Sequence, residues 1–341
     1  MQLPVRIVSE GLAAPVISVD GAWNAPGLNL SHWPGHRTPP QFAHELSTGC
    51  ALAFARLAPD ERARWARDCV AIVNNHFDTD GTCALFAVRH PEAALQREKE
   101  LLEAAAAGDF FEFPSDDALR VDLIVAGCAD PERSPIAERL RERSSLERHQ
   151  LATEFLLEQL PAILAGESAP YEPLWREELA RTHADRAELQ HCARDFVAHL
   201  DWTTFVARAA SEAFAPGRHA LFGAAASDRV LMVSPCRGGT HYRLIIGTRS
   251  WFDLPGRERV ARPDLHELVA QLNQLEGASA QDESAWRAQP PDSPSPEVWF
   301  GAREQEFFAE RSNALRPSAL PVAQVRHALA QCLRASLALP Q

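Results

Sequence analysis

Asp68-Cys-Val-Ala-Ile-Val-Asn-Asn-His-Phe-Asp-Thr-Asp-Gly81 carries the clearest chemical signal in this 341-residue chain. It begins as an apolar run typical of a buried strand and ends in one imidazole and two carboxylates. In an extended backbone alternate side chains share a face, so we expect His76, Asp78 and Asp80 to point the same way. Two such carboxylates repel each other unless a cation compensates, and we therefore predict a divalent metal site here.

A plainer interpretation of the same residues is a polar turn. Aspartate is a favoured helix cap, so Asp80 would cap a helix that starts near Gly81 while Asp78 holds the loop backbone. This alternative stays open. It gives no reason, however, for a histidine to join two acids at the end of a buried strand.

The segments around this stretch predict an α/β fold with a parallel sheet flanked by helices. Strand-like runs alternate with helical spacing, and crossovers of that kind build parallel sheets whose ligands gather at the carboxyl ends of the strands. The predicted strands are Val5–Val8, Val16–Val19, Cys69–Asn75 and Val121–Ala126. The predicted helices are 41–57, 59–67, 81–90 and 92–107, and a proline-rich loop is predicted at 28–40.

Three regions follow from the composition along the chain. We predict an α/β metal-site domain over 1–134, a helical connection over 135–215 and a smaller mixed α+β domain over 216–341. In the last region the predicted strands are Ala220–Ala224, Arg229–Val233 and Tyr242–Gly247, and the predicted helices are 263–275 and 322–337. Prolines, serines and acids make 277–296 a flexible loop.

Charge and cysteine content limit the classes of function. The net charge of −12 makes nucleic acids beyond short oligonucleotides poor partners. Seven cysteines without a Cys-x-x-Cys pair favour reduced thiols in a cytoplasmic protein. The first ten residues lack a basic leader and a long apolar core, and no apolar run is long enough to span a bilayer, so we expect neither a signal segment nor a membrane segment.

Three segments carry a resemblance to a known family. His76-Phe-Asp-Thr-Asp-Gly-Thr82 resembles the first motif of the Asp-His-His (DHH) phosphoesterase superfamily. Val121–Asp130 is similar to its second-motif strand, with Cys128 at the place of the metal-binding aspartate and Asp130 two residues later. Arg237-Gly-Gly-Thr-His-Tyr-Arg243 resembles the Gly-Gly-x-His loop that holds substrate. The Asp-His-His motif itself does not occur in the sequence.

The resemblance implies hydrolysis of phosphoric esters with one or two Mn²⁺ or Mg²⁺ ions. The implied metal ligands are His76, Asp78, Asp80 and Asp130, and the first three would also form the catalytic centre. A histidine ligand shifts preference toward manganese. The implied contacts to substrate are Gly238, Gly239, His241 and Arg243, to which we add Arg249 beside an aromatic residue.

A second polar group lies in Leu30-Ser-His-Trp-Pro-Gly-His-Arg-Thr-Pro39. Ser31, His32, His36 and Arg37 are candidates to complete the metal site or line a substrate pocket. The alternative is an ordinary surface loop that ends at a helix start.

These observations lead to two hypotheses of different classes. The first is a metal-dependent phosphoesterase that acts on a small phosphorylated molecule, nucleotide or short oligonucleotide. The second is a non-catalytic small-molecule-binding or regulatory module on a degenerate DHH-like fold. Metal content separates them, because only the first requires a bound cation.

Overall fold

The computed structural model describes residues 3–9, 12–21, 25–256, 261–303 and 315–338. It confirms an α/β fold and divides into two compact units. The N-terminal unit comprises Met1–Arg181 and Phe252–Arg257, and the C-terminal unit comprises Thr182–Trp251 and Glu258–Gln341.

The sheet of the N-terminal unit is parallel, as predicted. Among the described residues its strand order is β1-β4-β2-β3, and every pairing is parallel. The strands are β1 Val5–Ile7, β2 Val16–Val19, β3 Gly27–Leu30 and β4 Ile72–Asn74. Strand β3 occupies the start of the predicted loop 28–40. The loop prediction is therefore wrong for residues 28–30. The short run of β3 has no β-branched residue to signal a strand, and pairing with β2 supplies the missing stabilisation.

Nine α-helices accompany this sheet in the described residues, and most of them contribute side chains to one core with it. They are α1 Ser47–Ala55, α2 Pro59–Trp65, α3 Thr79–Arg89, α4 Pro91–Gln96, α5 Glu98–Phe110, α6 Asp116–Cys128, α7 Ala137–Leu140, α8 Ser145–Leu164 and α9 Glu172–Leu189. Helix α9 contains the division between the two units. The helices predicted after Gly81 are confirmed by α3, α4 and α5.

The predicted strand Val121–Ala126 is wrong, because these residues lie within α6. A short apolar run fits a buried helix as well as a buried strand. The deciding signal is Ser115, whose Oγ accepts a hydrogen bond from the N–H of Ala118 at 3.1 Å and caps the helix.

The C-terminal unit is built on a mixed sheet of order β5-β6-β7-β8-β10-β9. Only β6 and β7 pair in parallel among these strands, and β7 and β8 form an antiparallel hairpin. The strands are β5 Ala193–Val197, β6 Trp202–Val206, β7 Arg229–Cys236, β8 Gly239–Ile246, β9 Ala285–Ala288 and β10 Glu297–Gly301. The helices are α10 Arg218–Ala224, α11 Leu265–Glu276 and α12 Val322–Ala338.

Three expectations for this part of the chain are wrong. Strands β5 and β6 lie in a stretch predicted to be helical, where the β-branched and aromatic residues of β6 favour an extended backbone. The predicted strand Ala220–Ala224 belongs to α10. Strand β9 lies inside the predicted flexible loop and is ordered by its pairing with β10.

Among the described helices, none is both long enough and apolar enough to cross a bilayer.

Candidate metal centre

Three neighbouring strands of the parallel sheet end in potential metal ligands. Asp20 directly follows β2, His32 lies two residues after β3, and His76 lies two residues after β4. Because parallel strands share a carboxyl edge, these side chains meet at one place. Among the described residues, ligand atoms converge there in two clusters that share Asp20.

The first group, here called the buried cluster, consists of Asp20, His32, Asp80 and Asp109. The Nε2 atom of His32 lies 3.7 Å from Oδ1 of Asp20, 3.6 Å from Oδ2 of Asp80 and 3.1 Å from Oδ2 of Asp109. The side chains of Asp20, His32 and Asp80 are inaccessible to solvent. Three carboxylates thus surround one imidazole nitrogen.

The tautomer of His32 follows from its other ring nitrogen. Nδ1 lies 2.6 Å from the carbonyl oxygen of Glu45. A carbonyl oxygen can only accept, so Nδ1 carries the proton, and a neutral ring then has its lone pair on Nε2. Nε2 makes no hydrogen bond to the described residues. Metal-binding histidines commonly donate their second N–H to a backbone carbonyl in this way.

The second group, here called the exposed cluster, consists of Asp20, His76 and Asp78. Nε2 of His76 lies 2.7 Å from Oδ2 of Asp20 and 2.9 Å from Oδ2 of Asp78. Nδ1 of His76 lies 2.6 Å from Oδ1 of Asn75. The side chains of His76 and Asp78 are 26% and 36% exposed, so this cluster is open to solvent.

The electrostatics of both clusters call for positive charge. Burial raises the pKa of Asp20, and the nearby Asp78 raises it further. Burial followed by the charge of Asp80 raises the pKa of Asp109 well above its ordinary range. Desolvation alone would lower the pKa of His76, but Asp78 and Asp20 raise it to about 12. Burial alone would raise the pKa of Asp78, but the imidazolium of His76 in turn lowers it. Crowded carboxylates stabilise a positive charge placed among them, whether an imidazolium or a metal cation.

Asp80 is held by the first turn of helix α1. The backbone N–H groups of Ser47 and Thr48 donate to its Oδ2 and Oδ1, each at 2.8 Å. The hydroxyl of Ser47 donates to Oδ1 of Asp20 at 3.0 Å. The start of α1 therefore fixes one ligand of the buried cluster and the ligand that both clusters share.

The local backbone differs from the extended chain expected from the sequence. Helix α3 begins at Thr79, and Asp78 caps it by accepting the N–H of Gly81 at 2.8 Å. The expectation that His76, Asp78 and Asp80 share one face of an extended chain is therefore wrong. The structure brings His76 and Asp78 into the exposed cluster and Asp80 into the buried one.

The remaining candidates from the loop after β3 support the site from outside the clusters. The hydroxyl of Ser31 donates to the carbonyl of Asp20, and its oxygen accepts the N–H of Trp33. The N–H of Arg37 donates to Asn29 at 3.0 Å. Nδ1 of His36 accepts the N–H of Thr38 at 3.1 Å, and burial lowers the pKa of His36.

Asp130 belongs to neither cluster. Its Oδ1 accepts the backbone N–H of Glu132 at 2.8 Å. It lines a separate cavity of about 530 Å³ together with charged residues that include Arg133, Glu177 and Arg181.

The substrate candidates of the C-terminal unit lie along one hairpin and its surroundings. Gly238 lies in the β7–β8 turn and Gly239 begins β8, with positive φ angles of 97° and 152°. Arg243 is buried and pairs with Glu297 at 2.8 Å. Burial lowers the pKa of His241, and the N–H of Arg249 donates to Asp228 at 3.1 Å.

Sequence reasoning missed two members of the buried cluster. Asp20 carries the same signal as the quoted stretch, an apolar strand that stops at a carboxylate, although with a single acid. Asp109 lies in the last turn of α5 and reaches the cluster through helix packing, and no local pattern marks it.

Comparison with known proteins gives a family, and the matches among solved structures include one with a low TM-score. A family model described as "Family of unknown function (DUF6687)" matches residues 6–341. No curated protein matches this chain. The chain is similar to a solved structure titled a pGpG-specific phosphodiesterase, PggH, from Vibrio cholerae, with 10% identity and a TM-score of 0.33 over 96% of this chain and 86% of that one. A TM-score this low supports no conclusion about fold or activity. Because the family model spans nearly the whole chain, the protein belongs to the family of unknown function DUF6687.

Proposed function

We propose that the protein is a metal-dependent phosphoric ester hydrolase acting on a small phosphorylated molecule, a nucleotide or a short oligonucleotide. The orientation of His32 carries the proposal. Its Nδ1–H is committed to Glu45, so Nε2, which carries the lone pair in the neutral ring, faces three buried carboxylates. A lone pair and carboxylates repel one another, whereas a divalent cation between them turns the same atoms into a ligand set.

The ligand sets support two cation positions. Asp20, His32, Asp80 and Asp109 would hold one ion out of contact with water, and Asp20, His76 and Asp78 would hold the other at the solvent-exposed side. Asp20 would bridge them, since its Oδ1 lies toward His32 and its Oδ2 toward His76. Paired ions polarise phosphoryl oxygens and lower the pKa of a bound water.

Ligand chemistry favours manganese. Each cluster combines one imidazole nitrogen with carboxylate oxygens. Magnesium prefers oxygen ligands and retains several waters, whereas imidazole suits transition metals better. We therefore expect Mn²⁺ to bind more tightly than Mg²⁺ at both positions.

The exposed cluster sets the side from which substrate approaches. His76 and Asp78 are its solvent-accessible members, so a phosphoryl group would arrive next to them. The net charge of −12 disfavours long nucleic acids and leaves small phosphorylated molecules as the better class. Asp78 would keep its ligand role while accepting the N–H of Gly81 through its other oxygen.

Metal content and ester hydrolysis test this proposal together. The full chain is stripped with a chelator, reloaded with Mn²⁺ and assayed for bound metal and for hydrolysis of p-nitrophenyl phosphate and bis(p-nitrophenyl) phosphate. We expect two ions per chain and release of nitrophenol. Asp20→Asn should lose both, because both clusters depend on this carboxylate.

Asp60→Asn is the matched control, since Asp60 is an exposed aspartate in the first turn of α2. It should retain metal and activity. A wild-type chain that binds no Mn²⁺ and hydrolyses neither ester would overturn the proposal and favour the non-catalytic binding module.

A further inference from the structure

Trp33 contacts a ligand of each cluster. Its indole Nε1–H donates to Oδ1 of Asp20 at 2.9 Å. Its ring packs against the ring of His76, with 4.8 Å between centroids and 40° between planes. Nothing in the sequence pattern marks this tryptophan as more than a member of the loop after β3.

We propose that Trp33 is a positioning residue that keeps Asp20 in the bridging orientation between the two metal positions. The inference rests on the proposed function, because it requires a centre with two ions. Asp20 can serve both clusters only while Oδ1 lies toward His32 and Oδ2 toward His76. A rotation of the carboxylate about its Cβ–Cγ bond would break this division.

Two donors oppose that rotation. The Nε1–H of Trp33 and the Oγ–H of Ser47 both donate to Oδ1, and they come from different segments of the chain. Fixing Oδ1 also fixes the direction of Oδ2 toward His76. Outer partners of this kind orient ligands and raise metal affinity.

Trp33 is itself anchored to the backbone of Asp20. The hydroxyl of Ser31 donates to the carbonyl of Asp20 and accepts the backbone N–H of Trp33 at 3.0 Å. Asp20 has a positive φ angle of 63°, a conformation that needs support in a residue with a side chain. Trp33 is thus held in place by hydrogen bonds from both its backbone N–H and its indole N–H.

The ring contact has a second consequence. His76 is partly exposed, and its ring would otherwise be free to turn away from Asp20 and Asp78. The indole lies against it and limits that motion. Trp33 therefore acts on the shared carboxylate and on the only imidazole of the exposed cluster.

The test compares wild type with Trp33→Phe, which keeps an aromatic ring and removes the donor. The probe is Mn²⁺ alone, and the readouts are the affinity of each ion and the electron paramagnetic resonance spectrum. Wild type should show the spin-coupled signal of a bridged Mn²⁺ pair. Trp33→Phe should lose that coupling, and its weaker site should lose about 10- to 100-fold in affinity.

Trp65→Phe makes the same chemical change at an exposed tryptophan of α2 and should leave the spectrum unchanged. Ser47→Ala removes the other donor to Oδ1 and should weaken the coupling independently of any effect of Trp33→Phe on folding. The inference is overturned if wild type binds two coupled ions and Trp33→Phe does so equally well, whatever Ser47→Ala does. A wild-type chain that binds one ion also overturns it, and one that binds none removes the proposed function as well.

Discussion

The ring of Phe252 stacks on the imidazole of His32, with 3.8 Å between centroids and 19° between planes. The N–H of Asp253 adds a hydrogen bond to the carbonyl of His32 at 2.9 Å. Both residues belong to the N-terminal unit despite their distance from His32 along the chain. The imidazole of His32, a member of the buried cluster, is thus held by the Glu45 carbonyl at Nδ1 and by the Phe252 ring against its face.

Phe252→Leu should weaken the buried metal position. It keeps most of the volume and loses the flat surface that orients His32, so we expect about tenfold weaker Mn²⁺ binding and less than about 1.5 kcal/mol of lost stability. Calorimetric titration and urea unfolding measure the two effects. Phe196→Leu alters an exposed phenylalanine and serves as control. Unchanged Mn²⁺ affinity in Phe252→Leu would show that the stacking does not orient the ligand.

Asp109→Asn should change stability with a sign that depends on metal. Burial and the charge of Asp80 raise the pKa of Asp109, so its ionised form destabilises the metal-free fold. With a chelator we expect Asp109→Asn to be more stable than wild type by on the order of 1 to 3 kcal/mol. With Mn²⁺ at 100 times its Kd, wild type should gain about 2.7 kcal/mol and the variant much less.

Thermal unfolding is measured for wild type and Asp109→Asn with chelator and with Mn²⁺. We expect the variant to have the higher Tm in chelator and wild type to have the higher Tm in Mn²⁺. Asp60→Asn should follow wild type under both conditions, since its side chain is exposed. If Asp109→Asn is the less stable protein in chelator and gains as much as wild type from Mn²⁺, Asp109 is not a ligand.

The sequence predicts the parallel sheet and the position of the site, because both depend on local signals. Strands β2 and β4 are short apolar runs, and the acids that follow β4 mark the end of that strand as a candidate site. Asp20 could have been found by the same rule. Asp109 could not, because only the packing of α5 against the rest of the unit places it there.

Asp130 is an implied metal ligand only through the resemblance of Val121–Asp130 to the second-motif strand. With Val121–Ala126 taken as a strand, Asp130 would lie at the carboxyl edge of the sheet among the other ligands. These residues form α6, and Asp130 follows the helix instead. Apolar residues buried on both faces give the same pattern in a strand and in a packed helix, so hydrophobicity alone does not decide between them.

Glu297→Gln should destabilise the C-terminal unit. Glu297 is inaccessible to solvent and pairs with Arg243 and Arg218. Desolvation alone would raise its pKa, but the two guanidinium groups lower it to about 2. Removing the carboxylate leaves two cations near one another, which costs about 3 to 5 kcal/mol. The exposed Glu212→Gln is the control, and urea unfolding at pH 7 gives the difference.

The ion pairs of Glu297 with Arg243 and Arg218 also predict that the free energy of unfolding depends on pH. A carboxyl whose pKa is lowered on folding stabilises the fold above its unfolded pKa of 4.5, and this contribution disappears as the pH falls toward about 2. The stability difference between wild type and Glu297→Gln should therefore be constant above about pH 5.5 and shrink below pH 4.5. A difference that stays level down to pH 2.5 would mean that Glu297 is not the titrating group.

Gly81→Ala should damage the metal centre although alanine is the better helix former. In an ordinary helix the change would stabilise by about 1 kcal/mol. At this position a Cβ atom would lie 2.1 Å from Nδ2 of Asn74 and 2.9 Å from both Oδ2 of Asp20 and Oδ1 of Asp78. Two of these atoms belong to ligands of the exposed cluster, so they must move apart. We expect at least about tenfold weaker Mn²⁺ binding, measured by calorimetric titration. Gly127→Ala is the matched control in α6, because the three heavy atoms nearest to its Cβ all belong to the side chain of Leu174, the closest at 2.8 Å. Equal Mn²⁺ affinity in Gly81→Ala and Gly127→Ala would contradict a metal position at Asp20 and Asp78.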